Sequence, residues 1–146
     1  MREFKFRAWE KHFKKMSKPF TLSDIYTDVI DGVKHVWIPF SKDSSTNIKV
    51  CQILQYTGLK DKNGKEIYEG DIVRKEFGEM RLAVVGSVIW GGYSDGEYVS
   101  NIECWLVSEL PLSDLGGLYG VASHTNEVLG NIYQNPELLD PKKGGE

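Results

Sequence analysis

The sequence predicts a mainly β fold with minor α: a small β-barrel in the C-terminal half, preceded by an N-terminal β/α segment. Three observations carry that expectation. Four to six short apolar runs follow residue 48, each closed by turn residues, the spacing of a small barrel. Many of the fifteen glycines fall between those runs, where turns use them. At the N-terminus, Phe4, Phe6 and Ala8 alternate with Lys5 and Arg7, the period of two of a half-buried strand.

The elements follow in order. The basic segment Lys11-His12-Phe13-Lys14-Lys15-Met16 reads as a solvated turn, with an anion-binding patch as the sharper alternative. Leu22, Ile25, Tyr26, Val29 and Ile30 recur at helical spacing, so a short helix is expected over 21–32. Thr21 with Asp24 resembles a capping box, and Gly32 suits the exit. Val33–Phe40 reads as a strand, Ser41–Asn47 as a polar connection, and Ile48–Tyr56 as the next strand. Asn63-Gly64, flanked by apolar residues, predicts a tight hairpin turn with two positive φ angles. Strands are then expected at 68–73, 81–90, 102–107 and 127–133, with Gly91–Gly96 as a turn and 108–126 unassigned. Asn135-Pro136 marks a cap with Pro at the first helical position. The expected organisation is an N-terminal strand/helix/strand segment over 1–47, a barrel domain over 48–140 and a disordered tail over 141–146.

The chain has 146 residues, of which 40% are hydrophobic and 27% charged, the composition of a globular protein with an ordinary core. A net charge of −3 supplies no global positive field for nucleic acid. Two cysteines, Cys51 and Cys104, form no disulfide framework and lack zinc-knuckle spacing, so buried free thiols are expected. No stretch reaches the roughly 20 apolar residues of a membrane span, and no signal-peptide region opens the chain. A soluble, intracellular protein is expected.

Little in the sequence carries chemistry. Gly92-Tyr93-Ser94-Asp95-Gly96 fits the pattern of a hydrolase nucleophile elbow, but the strand-to-helix context in a large α/β sheet is missing, and a hairpin turn is the better reading. Asp61-Lys62-Asn63-Gly64 begins like a calcium loop but places its glycine too early. Glu66, Glu69 and Asp71 cluster as a solvated acidic strand end, and His12, His35 and His124 lack a nearby partner for metal binding. No catalytic, cofactor or metal residue is therefore assigned, and a small hydrolase or metal-dependent enzyme ranks last among the readings. Trp9, Trp37, Trp90 and Trp105 fall in strands and are expected to pack the core. If the barrel bound nucleic acid instead, Lys11, Lys14, Lys15, Arg74, Lys75 and Arg81 would touch phosphate.

Three blocks of sequence resemble a known family. Arg2-Glu3-Phe4-Lys5-Phe6-Arg7-Ala8-Trp9 with Lys14-Lys15-Met16, the run from Gln55 through Gly58, Gly64 and Gly70 to Val73, and the run from Glu127 through Gly130 and Tyr133 to Leu139 are similar to the opening, middle and ending of YopX-type proteins from phages and prophages of Gram-positive bacteria. The resemblance implies an SH3-like β-barrel in the C-terminal half, and no biochemical activity or catalytic residue. Tyr56, Tyr68 and Trp90 read as packing residues. Residues 17–50 and 91–126 match none of the blocks, so a function particular to this chain is expected there. The leading expectation is a non-enzymatic accessory protein that binds, either as a homo-oligomer or to a host or phage protein. Nucleic-acid binding is the alternative.

Overall fold

The computed structural model describes residues 4–41, 44–77, 82–93, 102–108, 110–111 and 124–140. They are mainly β, and the chain divides into two compact units between Tyr56 and Thr57.

In the first unit, β1 (Lys5–Glu10) pairs antiparallel with β2 (Lys15–Met16) and β3 (Phe20–Thr21). A second sheet has the order β4 (Tyr26–Ile30), β5 (Val33–Ser41), β6 (Ser44–Asn47). Strand β7 (Cys51–Lys60) runs antiparallel to β1, with Ala8 opposite Ile53. Ala8, Phe20 and Ile38 form the buried centre of this unit, and Phe6, Ile25, Ile48 and Ile53 pack around them.

The helix expected over 21–32 is not there. Only Leu22–Asp24 makes a 3₁₀ turn, in which the Asp24 carboxylate accepts the Thr21 N–H at 2.7 Å and the Thr21 hydroxyl at 2.8 Å. From Tyr26 the chain extends into β4 and returns as β5. Two features overrule the helical spacing. Thr27, Val29 and Ile30 are β-branched and favour the pleated backbone. Asp31 and Gly32 take φ of 51° and 76°, the paired positive values of a type I′ turn that joins two strands with the correct twist. The N-terminal segment is therefore a set of hairpins and not β/α. Residues 44–47, expected as a polar connection, form β6.

The second unit begins within β7, so the chain divides at Tyr56/Thr57 where the sequence places the border at 47/48. The end of β7 leads through a loop into β8 (Glu66–Tyr68), and the Thr57 hydroxyl donates to the Ile67 carbonyl at 2.8 Å. Next come β9 (Asp71–Phe77), β10 (Leu82–Tyr93), β11 (Ile102–Val107), β12 (Leu110–Pro111) and β13 (His124–Asn131). Their order in the sheet is β12-β11-β10-β9-β13, a curled half-barrel where the sequence predicts a small β-barrel. Ile67, Val73, Val88, Trp105 and Val107 fill its core, with Leu59 and Val128 against them. A 3₁₀ turn at Pro136–Leu139 has Pro136 at its start, as the sequence indicates. The hydrolase-like Ser94-Asp95-Gly96, most of the unassigned 108–126 stretch and the tail 141–146 lie outside the described residues.

The Asn63-Gly64 loop differs from the expected two-residue turn. Gly64 has φ 81°, but Asn63 is not in the left-handed region. Gly64 N–H donates to the Asp61 carbonyl at 2.9 Å and Asp61 N–H to the Lys65 carbonyl at 2.8 Å, which makes a three-residue loop closed by a glycine bulge. The Asp61 side chain explains the choice. Its Oδ1 accepts the N–H groups of Asn63 at 2.8 Å and Lys65 at 2.9 Å, so the carboxylate is turned into its own loop. Its Oδ2 accepts the Val128 N–H at 3.1 Å, so backbone donors engage both oxygens.

Candidate binding site

The β4–β5 hairpin positions the most distinctive surface among the described residues. Cross-strand register sets its faces: Tyr26 lies opposite Trp37, Asp28 opposite His35, and Ile30 opposite Val33. Because side chains alternate along a strand, these six share one face with Pro39, and Ile38 turns the other way into the core. On β6, Asn47 stands opposite Trp37 and Ser45 opposite Pro39.

The result is an open groove of about 530 Å³ walled by the rings of Tyr26 and Trp37, by Pro39 and by the Asp28 carboxylate. The size is that of a ligand or side-chain cleft. The His35 ring stacks on Trp37 at 6.0 Å and 28°, and its Nδ1 is 3.0 Å from Asn47 Nδ2, so the indole is held in place by its neighbours. At the far end the Ser41 and Ser44 hydroxyls bond to each other at 2.6 Å. Asp28 Oδ1 accepts the Val29 N–H at 2.7 Å. Asp28 is the one charged residue of the lining, so the groove is aromatic and anionic.

Exposure continues along the hairpin. Tyr26, Val29, Ile30 and Val33 are between 45% and 64% exposed, although each apolar side chain would gain roughly 1.5–3 kcal/mol from full burial. Strand β4 is an edge strand, with β5 on one side and no strand on the other among the described residues.

The basic residues singled out in the sequence fall in both units. Lys11, Lys14 and Lys15 are exposed at the β1–β2 loop in the first unit. Arg74, on β9 in the second unit, is held by Glu76 at 2.9 Å. Its neighbour Lys75 is only 3% exposed, with its ammonium 5.6 Å above the Phe77 ring, so it does not reach a phosphate. Alternation along β9 sends these two side chains to opposite faces. Arg81 lies outside the described residues.

Other candidates resolve into structural roles. Glu66 accepts the Tyr68 hydroxyl at 2.7 Å, and Asp71, 1% exposed, accepts the Tyr68 N–H at 2.8 Å. Burial and the nearby Glu10 carboxylate push the Cys51 thiol up, away from the reactive thiolate. Among the described residues, no group of three or more His, Cys, Asp and Glu side chains is arranged to hold a metal ion. Trp9 and Trp105 pack as expected, but Trp90 is half exposed and meets Trp105 edge-on at 5.1 Å.

Sequence reasoning missed Tyr26 and Trp37 as a pair because the helical reading separated them. The signal was present: Val29-Ile30-Asp31-Gly32-Val33 is an Asp-Gly dipeptide between β-branched residues, a strong short-range hairpin cue.

A match to the family model described as "YopX protein" covers residues 5–140, nearly the whole chain and both units. The chain belongs to the YopX protein family. Two solved structures share the YopX-type fold with it. Protein EF1440 from Enterococcus faecalis is 27% identical, with a TM-score of 0.51, covering 96% of this chain and all of that one. Protein yopX from Bacillus subtilis is 22% identical, with a TM-score of 0.50 and the same coverage, a likeness of fold alone. No curated protein matches the chain. Among the described residues, no helix is long and apolar enough to cross a membrane.

Proposed function

We propose that this YopX-family chain is a non-enzymatic phage or prophage accessory protein that works by binding, and that it self-associates through the β4–β5 hairpin. The observation that carries the reading is the exposure of Tyr26, Ile30 and Val33 on one face, and of Val29 on the other, of a hairpin whose outer strand is a sheet edge. Contiguous apolar surface on an edge strand invites either strand pairing or face-to-face burial. The hairpin also falls within residues 17–50, one of the two parts of the chain that the family-like sequence blocks leave out. The cytoplasm of the bacterial host is the expected place of action. Size-exclusion chromatography with light scattering tests the reading: the full chain is expected to exceed the monomer mass at micromolar concentration, and Val29→Thr with Ile30→Thr to lower it.

The finer fold assignment belongs to the same proposal. Strands β9, β10, β11 and β12 form a meander, and β13 returns to pair with β9. That connectivity supports reading the second unit as an SH3-like barrel that is open on one side.

A second reading rests on the β1–β2 loop. Phe13 is 69% exposed among Lys11, Lys14 and Lys15, the pairing of a stacking ring with cations used on single-stranded nucleic acid. It stands second because Lys75 is buried and Arg74 is engaged, leaving three of the six candidate cations with free, described side chains. Fluorescence anisotropy with labelled single- and double-stranded oligonucleotides at low salt tests it, with flat titrations excluding it.

A further inference from the structure

We propose that the occupant of the Tyr26–Trp37 groove is the Lys11–Lys15 loop of a second copy of this chain, a proposal that rests on the self-association reading and specifies its contact. The two surfaces are complementary in charge. The groove offers two aromatic walls and the Asp28 carboxylate, whose Oδ2 has no protein partner among the described residues. The loop offers one exposed ring, Phe13, followed by Lys14 and Lys15, whose ammonium groups make no ion pair among the described residues. A cation beside the faces of Tyr and Trp and opposite a carboxylate gains from both. Within one chain neither surface covers the other, because Phe13 is 69% and Tyr26 50% exposed.

The loop is built to present that ring. Glu10 is 2% exposed, and its carboxylate accepts the N–H groups of both His12, at 3.1 Å, and Phe13, which ties the loop back to β1. His12 braces the Phe13 ring edge-on at 4.9 Å and 82°. Lys14, at φ 52°, turns the chain into β2. A loop shaped in advance loses little conformational freedom on docking. Groove and loop are different surfaces, so the contact is heterologous and builds a ring if the rotation closes and a filament if it does not.

Charge exchange tests the contact. Asp28→Lys makes groove and loop both basic; Lys14→Glu with Lys15→Glu makes both acidic. These residues are exposed, and circular dichroism melts of each variant are expected to match the parent. Each variant alone is expected to lose association by about tenfold or more in apparent dissociation constant. An equimolar mixture of the two is expected to regain it, since every loop then meets a groove of opposite charge. Glu137→Lys, the same charge change at an exposed site in the second unit, is the control and on its own is expected to associate at parental strength, because its groove and loop are unchanged. Association of either the groove or the loop variant at parental strength overturns this contact while leaving self-association standing. A parent chain that is monomeric removes both. Oligonucleotide binding that is lost in Lys14→Glu with Lys15→Glu, with unchanged self-association, assigns the loop to nucleic acid and overturns the proposal.

Discussion

The Asp61 carboxylate accepts the backbone N–H of Val128 at 3.1 Å, joining the loop before β8 to strand β13 across 67 residues of chain. Lys62 reinforces the link twice, by its N–H to the Asn126 carbonyl at 2.9 Å and its ammonium to Glu127 at 2.7 Å. The Gly64 loop thus closes the second unit as well as turning the chain. Asp61 is 8% exposed, and its carboxylate accepts three backbone N–H groups in all. Asp61→Ala leaves those donors short of a charged acceptor and is expected to cost about 3 kcal/mol in a urea titration. Lys62→Ala, which removes an exposed ion pair, is expected to cost under about 1 kcal/mol.

The same carboxylate sets a pH dependence. Burial pulls its pKa up, but the N–H groups of Val128, Lys65 and Asn63, together with the Lys65 charge, overcome that and hold it below the usual carboxylate value. A carboxyl lowered in the folded state contributes stability above its unfolded pKa, about 3.9, and loses it as pH falls through the folded value. The stability difference between the parent and Asp61→Asn is therefore expected to be full at neutral pH and to shrink below about pH 4. Denaturant titrations at a series of pH values measure it; a difference that grows in acid contradicts the assignment.

Gly86 on β10 has no room for a side chain. A methyl there would lie 2.2 Å from Ser108 Oγ and 2.9 Å from Ser108 N, and Ser108 itself sits at φ 49°, with its hydroxyl on the Val85 carbonyl at 3.0 Å. Gly86→Ala is expected to destabilise by about 1–3 kcal/mol. Adding Ser108→Gly removes the nearest atom and suits the positive φ, so partial recovery is expected in the double variant. Equal stability of the single variant and the parent contradicts this packing.

The Asp31-Gly32 turn gives a cleaner backbone test, because a side chain at Gly32 meets nothing within 4 Å. Gly32→Ala is expected to cost about 1 kcal/mol through φ alone. Asp31→Asn keeps a residue that tolerates φ of 51° and is expected to leave the melting temperature unchanged within error or raise it. If the groove requires the hairpin, Gly32→Ala also weakens self-association.

Much of the second unit was legible because its signals are local. The strands near 102–107 and 127–133, the Pro136 turn and the buried Trp105 follow from alternation, turn residues and apolar content, whereas the stretch 68–73 divides at Glu69-Gly70 into the end of β8 and the start of β9. The Asp61–Val128 tie was not legible, since nothing local announces a partner 67 residues away. In the first unit, apolar residues at 22, 25, 26, 29 and 30 satisfied a helical period by chance of spacing, while β-branching and the Asp-Gly turn decided the outcome. With Tyr26 on a helix, its pairing with Trp37 could not be read, and so neither could the groove. Lys75 illustrates a further limit: its charge is visible in sequence, but its burial depends on the face β9 turns inward.

The central claim is that the exposed β4–β5 hairpin serves association between copies. Sedimentation velocity of the full chain across the micromolar range tests it most directly, with Tyr26→Ala/Trp37→Ala run alongside. The predicted result is a mass above the monomer that rises with concentration in the parent and falls towards monomer in the variant. A parent chain that sediments as a monomer at every concentration contradicts the claim.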